Sequence, residues 1–175
     1  MKKLEITYND TVKEALALAL IEQMKIKPFT KISISEIVLR AGVGRSSFYR
    51  NFTNKEQILL DYIQKKYNQS FQEERANFNI MDMDYFLLKR LNFIKNNKDF
   101  FVVLRKNNLL YYLFEEMDPE LAQFLSGNKI YDSPYSRAIF SSCSAGIIKQ
   151  WIDNNFKESP EDLLKINKSI SFSKM

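Results

Sequence analysis

Apolar residues recur at intervals of three and four along most of the chain, which is the spacing of amphipathic helices. The first such stripe consists of Val12, Leu16, Ala19, Leu20 and Met24. It predicts a helix that begins near Asn9 or Asp10, both of which are suitable N-caps, and ends before Pro28. No stretch combines sustained strand alternation with hairpin turns, so the pattern predicts an all-α fold.

Two short helices follow, separated by very few residues. Ser33 and Glu36 have the spacing of a capping box, which predicts the start of a helix at this point. Gly42 can adopt a positive φ without steric cost and therefore predicts the end of that helix. A second short helix is predicted after Gly44. Two helices joined by such a tight turn form a helix-turn-helix.

The rest of the chain also has helical patterning. Asn54 is a suitable N-cap for a longer helix from Lys55 to about Glu74. Each of the three later prolines follows a potential capping residue, which is typical of the first turn of a helix. Further helices are predicted near residues 83–96, 98–117, 119–125, 134–154 and 160–168.

The composition argues against enzymatic chemistry. The chain of 175 residues contains no histidine and only four glycines. Without histidine it cannot build a Ser-His-Asp or Cys-His catalytic set, or an imidazole-bound metal site. The glycines are too scattered for a GxGxxG turn or a P-loop. We therefore expect no enzymatic activity, no cofactor and no metal.

Cysteine usage and hydropathy indicate a cytoplasmic location. The single cysteine, Cys143, excludes an intramolecular disulfide and suits a reducing compartment. The longest apolar run covers only residues 15–21, whereas a helix that spans a bilayer needs about 20 apolar residues. The N-terminus lacks the long apolar stretch of a signal peptide. We expect no membrane association.

Positive charge is concentrated in the first third of the chain. Residues 1–55 hold ten lysines and arginines but five acidic residues, and residues 56–175 hold sixteen of each. A basic segment beside a neutral body is typical of a protein that binds a polyanion such as DNA. The basic segment also contains the predicted helix-turn-helix.

The helix-turn-helix segment carries a specific resemblance. Its turn reads Ala41-Gly42-Val43-Gly44, and its most distinctive part is Phe48-Tyr49-Arg50-Asn51-Phe52-Thr53-Asn54-Lys55-Glu56. The segment resembles the N-terminal DNA-binding domain of TetR/AcrR-family transcriptional regulators. One departure is Gly44, where the family usually has serine, so the second helix lacks a side-chain cap. A plain helical hairpin is the alternative interpretation of the same pattern.

The resemblance implies a role for each matching residue. Contacts to DNA phosphates are expected from Ser33, Ser47, Tyr49 and Lys55. Contacts to bases are expected from Ser35, Arg45 and Ser46, and further DNA contacts from Arg50 and Asn51. Arg45 in particular can bind O6 and N7 of a guanine in bidentate fashion. Phe48 and Phe52 are expected to point into the core.

The second half of the chain is rich in aromatic residues, with fifteen of them between positions 78 and 156. The resemblance implies an effector pocket inside a C-terminal helical bundle, and aromatic walls suit an apolar or aromatic small molecule. Candidate pocket residues are Phe86, Phe93, Phe101, Leu104, Tyr111, Tyr112 and Phe140. Simple core packing is the alternative for each of them.

The resemblance also implies a homodimer, because family members associate through their last two long helices. Here these are the helices predicted at 134–154 and 160–168. Residues 141–146 are all small and allow another helix to approach closely. Interface candidates are Ala138, Ser142, Ala145, Gly146 and Trp151. Packing within one subunit is the alternative.

The sequence therefore predicts two domains and a regulatory function. Residues 1–54 form a helix-turn-helix DNA-binding domain, and residues 55–175 form a ligand-sensing and dimerisation domain, with helix 55–74 as the connection. We expect a homodimeric regulator, a repressor rather than an activator. A small apolar or aromatic effector would release it from a double-stranded DNA operator. The alternative is a ligand-independent protein that binds DNA or a partner on the same scaffold. An internal cavity would favour the first interpretation and a filled core the second.

Overall fold

The computed structural model describes residues 2–70, 83–110 and 133–170. Every regular element within these ranges is helical, which confirms the predicted all-α class. The chain divides into two compact units, Met1–Gln69 and Ser70–Met175. Among the described helices, none has the length and hydrophobicity that crossing a bilayer requires.

The first helix, α1, extends over Lys2–Ile26. It begins well before Asn9 and Asp10, where the sequence predicted its start, because the residues ahead of them include no glycine or proline to interrupt a helix. It ends ahead of Pro28, as predicted. The predicted apolar stripe is buried along its length, at Val12, Leu16, Ala19, Leu20 and Met24.

The second helix, α2 (Ile34–Ala41), has local hydrogen bonds that define both of its ends. Ser33 Oγ accepts a hydrogen bond from the Glu36 N–H at 3.3 Å, and the Glu36 carboxylate accepts one from the Ser33 N–H at 2.9 Å. At the C-terminus, Gly42 has a φ of +67°, and the Val43 N–H donates to the Val38 carbonyl at 3.0 Å. The predicted capping box and glycine stop are both confirmed.

The third helix, α3 (Arg45–Asn51), begins after Gly44 without a side-chain cap. Instead, the Gly44 carbonyl accepts the N–H groups of Ser47 at 3.0 Å and Phe48 at 3.3 Å. Phe48 and Phe52 are buried, as predicted, and their ring centroids are 6.1 Å apart. These two rings fix α3 to the core and leave its opposite face in solvent.

The fourth helix, α4 (Glu56–Ser70), is part of the first unit. Lys13 of α1 forms an ion pair with Asp61 of α4 at 2.6 Å. The buried residues of α4 are Ile58, Leu59, Ile63 and Tyr67. The first unit therefore includes α4 as far as Gln69, and the domain boundary after residue 54 stays a prediction. Asn54 marks the start of α4, where its side chain accepts the Gln57 N–H at 2.9 Å.

Four helices of the second unit are described, namely α5 (Met83–Asn96), α6 (Lys98–Lys106), α7 (Pro134–Asp153) and α8 (Pro160–Ile170). As predicted, α7 and α8 each begin with a proline that follows a serine. Ser133 Oγ accepts the Tyr135 N–H at 3.2 Å, and Ser159 Oγ accepts the Asp162 N–H at 3.1 Å. Serine and proline thus act together at both helix starts.

The predicted helix 98–117 is wrong in its length, because α6 ends at Lys106. Asn108 adopts a φ of +58°, and the Leu109 N–H donates to the Leu104 carbonyl at 2.9 Å. This is the Schellman geometry that glycine usually provides, and asparagine is the other residue that adopts it readily. The predicted helix 119–125 lies outside the described residues.

Trp151 occupies the core of the second unit. Its side chain is completely buried, its indole N–H donates to the Glu158 carbonyl at 3.0 Å, and its ring centroid is 5.0 Å from that of Phe156. Arg105 of α6 binds Asp153 of α7 through two hydrogen bonds of 2.9 Å. These contacts join α6, α7 and the turn that leads to α8.

Candidate nucleic-acid interface

The outer surface of α3 is formed by four exposed side chains, Arg45, Ser46, Tyr49 and Arg50. They lie together because Arg45 and Tyr49, and likewise Ser46 and Arg50, are four residues apart and form two neighbouring rows on one side of the helix. Their guanidinium, hydroxyl and phenol groups are donors for phosphate oxygens and for base edges. The structure therefore brings together four of the residues that the sequence predicted to contact DNA.

Arg45 and Ser35 contact each other directly. Arg45 Nη2 donates a hydrogen bond of 2.5 Å to Ser35 Oγ, which joins the first turn of α2 to the first residue of α3. Both residues were predicted to read bases, and the sequence did not indicate that they interact. Their contact depends on how the turn at Gly42 orients the two helices.

Tyr49 is the most accessible aromatic residue of this surface, with an exposed fraction of 60%. Its ring meets the buried Phe48 ring edge to face, with centroids 5.1 Å apart. The phenol ring is thereby supported from inside the domain while most of its surface remains accessible to a ligand.

Ser47 and Asn51 lie on the inner side of α3, and their expected contacts with DNA stay a prediction. Ser47 is only 9% exposed, and its hydroxyl accepts a hydrogen bond from Arg50 Nη2 at 3.4 Å. Asn51 Nδ2 donates to the Ser47 carbonyl at 2.8 Å, within the same helix. Both side chains have their polar groups engaged in α3 itself.

Lys55 has an internal role that the sequence analysis missed. Its ammonium donates to the carbonyl oxygens of Phe29 at 2.7 Å and Ile32 at 2.8 Å. It also lies 4.4 Å from the centroid of the Phe29 ring, a cation–π distance. Lys55 therefore joins the start of α4 to the segment immediately before α2. No sequence signal reveals this contact, because the partners are backbone carbonyls far along the chain.

Ser33 forms hydrogen bonds with Glu36, whose carboxylate accepts several of them. The Ser33 hydroxyl donates to it at 2.8 Å, and the Lys27 ammonium forms an ion pair with its other oxygen. The Lys27 hydrogen bond, followed by those from the backbone and hydroxyl of Ser33, lowers the pKa of Glu36 from 4.5 to about 2. This network holds the N-terminus of α2 beside the end of α1.

Two matches to protein-family models identify the family of this chain. Residues 15–62 match the family described as bacterial regulatory proteins, tetR family. Residues 81–172, more than half of the chain, match a transcriptional regulator C-terminal region of the same group. The chain belongs to the TetR family. This membership supports a DNA-binding transcriptional regulator and confirms the resemblance seen in the sequence.

Solved structures share the TetR fold of this chain. A TetR transcriptional regulator from Streptococcus agalactiae 2603V has 21% sequence identity and a TM-score of 0.68, and the match covers 97% of this chain and 98% of that one. The fatty acid degradation regulator FadR from Bacillus halodurans has 14% identity and a TM-score of 0.61, with coverages of 95% and 98%. At these identities the likeness establishes the fold alone. A search of curated proteins finds no match.

Three of the predicted effector-pocket residues of this TetR-family chain are packed in the core. Phe93, Phe101 and Leu104 are all buried, and the rings of Phe93 and Phe101 meet edge to face with centroids 6.2 Å apart. Phe86 and Phe140 lie in α5 and α7, and the positions of their side chains are not described. Tyr111 and Tyr112 lie outside the described residues.

A small cavity of about 30 Å³ lies between α5, α7 and α8, and none of the predicted pocket residues is among the residues that line it. Its walls are mainly aliphatic, with the polar residues Arg90 and Asn167 among Leu87, Leu91, Ile147, Ile148, Leu163 and Leu164. Pockets for small molecules typically enclose about 300–1,000 Å³. The volume of this cavity is about one tenth of the lower end of that range.

The predicted dimer residues divide into two groups. Ala138, Ser142 and Gly146 are exposed on α7, and Ala145 is half-buried beside them. Trp151 is instead completely buried within its own unit, which argues against an intersubunit contact for its side chain. Two large apolar residues on the exposed side of α7 were not predicted to contact a partner, namely Tyr135 at 81% and Ile139 at 62% exposure.

Proposed function

We propose that this chain acts in the cytoplasm as a homodimeric transcriptional repressor that binds a double-stranded DNA operator through α2 and α3. The observation that carries the proposal is the row of exposed donors on α3, Arg45, Ser46, Tyr49 and Arg50, directly after the tight turn at Gly42. A short helix with such a face can enter the major groove while the preceding helix lies across the backbone.

The side chains of this row suit different parts of DNA. Arg45 and Ser46, at the N-terminus of α3, are candidates for base contacts, because recognition helices read bases with their first residues. Tyr49 and Arg50 are candidates for phosphate contacts, which supply affinity without sequence preference. Ser47, Asn51 and Lys55 would support the interface through their internal hydrogen bonds.

The exposed face of α7 supports the homodimer. Tyr135, Ile139, Ser142 and Gly146 follow one another at intervals of three and four, so they form a continuous stripe along the helix. Large exposed apolar side chains at one end and small residues at the centre suit the close approach of a second helix. A two-fold symmetric dimer presents two copies of α3 to the two halves of a palindromic operator.

Release by an apolar or aromatic effector is the second part of the proposal. The packing of Phe93 against Phe101 and the small size of the described cavity favour the alternative, a ligand-independent DNA-binding protein, for this part of the second unit. The single tryptophan, Trp151, offers a test because its buried indole reports on packing in that unit. Titration with aromatic and long-chain apolar compounds should change its emission if an effector is bound inside the bundle. Unchanged emission together with unchanged DNA affinity would favour the ligand-independent alternative.

Capture of sheared genomic DNA by the purified protein, followed by sequencing, tests the DNA-binding proposal. The matched control is Tyr49→Ala, because Tyr49 is largely exposed and its removal should leave the fold intact. Enrichment of a palindromic motif by the wild type alone would support a specific regulator. Equal and diffuse recovery by both proteins would contradict it. Reporter expression from the captured promoter, with and without the protein, then tests repression.

A further inference from the structure

Ser35 is placed to control the direction of the Arg45 side chain. Ser35 lies in the first turn of α2 and is half-buried, whereas Arg45 is the first residue of α3 and is exposed. Among the described residues, the guanidinium forms one hydrogen bond, of 2.5 Å from Nη2 to Ser35 Oγ. The acceptor, Ser35, has a short side chain, and the capping box of Ser33 and Glu36 holds the start of its helix in place.

This hydrogen bond restricts a long side chain and leaves it able to bind a base. An arginine side chain has large rotamer freedom, and fixing it in one direction before binding removes an entropic cost of the complex. The guanidinium has five N–H groups, and the bond to Ser35 uses one of them. Bidentate recognition of guanine needs two, so the remaining groups are sufficient.

We propose that Ser35 is a positioning residue that orients Arg45 for base recognition, so that α2 controls sequence preference through α3. The inference rests on the proposed DNA-binding function. It differs from the sequence-based expectation that Ser35 reads a base itself. If Ser35 acts through Arg45, the two residues affect the same base pair of each half-site. If Ser35 reads DNA directly, they affect different base pairs.

Selection of bound duplexes from a randomised DNA pool, with the full chain and its variants, tests the proposal. The variants are Ser35→Ala, Ser35→Thr, Arg45→Ala and the double variant with alanine at both positions. Ser35→Ala should reduce discrimination at the base pair that Arg45→Ala affects, by about three- to tenfold, the factor that corresponds to one ordinary hydrogen bond. Ser35→Thr keeps the hydroxyl and should retain the preference of the wild type. The double variant should match Arg45→Ala alone.

Fluorescence anisotropy with the selected duplex, and with the same duplex changed at that base pair, gives the affinities. Thr30→Ala is a control that removes an exposed hydroxyl from the same domain and should leave the preference unchanged. Loss of preference at a different base pair in Ser35→Ala, or a double variant with additive losses, would overturn the proposal. So would an unchanged preference in Ser35→Ala. A wild-type chain that selects no motif would instead overturn the proposed function, and this inference with it.

Discussion

The ammonium of Lys55 donates a hydrogen bond of 2.7 Å to the carbonyl of Phe29 and lies 4.4 Å from the centre of the ring of the same residue. A second bond, of 2.8 Å, reaches the Ile32 carbonyl. One side chain thus joins the start of α4 to the segment that positions α2. In a TetR-family protein this contact links the helix that ends at the unit boundary to the DNA-binding helices. We therefore expect Lys55 to act as an internal link between helices rather than as a phosphate contact.

Lys55→Met should lower the free energy of unfolding by about 1–2 kcal/mol, because a charged donor to two carbonyls is lost. The slope of log K for DNA binding against log salt concentration should equal that of the wild type, because this slope becomes shallower only when a phosphate contact is removed. Lys31→Met is a suitable control in the unfolding measurement, because Lys31 is an exposed lysine in the same region. A slope reduced by about one unit with unchanged stability would show that Lys55 binds phosphate.

Tyr49→Phe should weaken binding to the selected operator and to a scrambled duplex by the same factor. The variant removes one hydroxyl that we assign to a phosphate, and the loss of such a bond corresponds to about 1 kcal/mol. Stability should not change, because the ring and its contact with Phe48 remain. Anisotropy titrations at one fixed salt concentration measure both affinities. A loss of affinity for the operator alone would mean that Tyr49 contributes to sequence preference.

Glu36 should make stability depend on pH in the acidic range. Its pKa is about 2 in the folded protein against 4.5 ordinarily, owing first to the hydrogen bond from Lys27. Because the folded pKa is the lower one, the contribution of Glu36 is fully present above about pH 4.5 and is lost as the pH falls towards 2. Glu36→Gln should therefore show a shallower fall in urea-unfolding stability between pH 5 and pH 2.

Glu14→Gln, which changes an exposed glutamate of α1, is the control for that experiment. Identical pH profiles for Glu36→Gln and the wild type would contradict the assignment. A direct carbon NMR titration of the Glu36 carboxyl provides a second measurement. A midpoint close to 4.5 would show that the network with Lys27 and Ser33 does not persist in solution.

Gly146 offers a test of the dimer that separates association from folding. Among the described residues, a Cβ at this position would meet nothing within 4 Å, so the subunit has open space where a side chain would begin. Gly146→Ala should stabilise the subunit by up to about 1 kcal/mol, because alanine favours the helix. Gly146→Leu should shift the protein from dimer to monomer in sedimentation equilibrium, since the bulk blocks the close approach of a second α7.

Lys98→Leu adds an apolar side chain at an exposed position of α6 and should leave the oligomeric state unchanged. A Gly146→Leu protein that remains as dimeric as the wild type would show that the interface does not include Gly146. A wild type that sediments as a monomer at all concentrations would contradict the homodimer itself.

The sequence predicted those parts of the fold that local interactions control. The capping box at Ser33, the stop at Gly42 and the proline starts of α7 and α8 all involve hydrogen bonds between residues close in sequence. Such bonds can form whatever the rest of the chain does, so residue type and spacing are sufficient to predict them. The end of α6 was not predicted, because Asn108 adopts a positive φ, the conformation that glycine usually has at a helix end.

The exposed side of α3 was predictable only in part. Periodicity and family resemblance correctly placed Tyr49 and Arg50 outside and Phe48 inside. They did not indicate that Ser47 lies against the core, because neighbouring residues of a seven-residue helix differ little in their sequence pattern. Trp151 was assigned to a surface for a similar reason, since its helix is apolar on more than one side.

By itself, the sequence predicted the all-α class, the TetR family, the position of α3, and the caps at Ser33, Gly42, Ser133 and Ser159. Tertiary structure alone decided that Lys55 bonds to carbonyls 23 and 26 residues away, that Lys13 reaches Asp61, and that Arg45 is held by Ser35. The physical reason is the range of the interactions. A cap forms within one turn of the chain, whereas these contacts exist only after buried side chains have fixed the angles between helices.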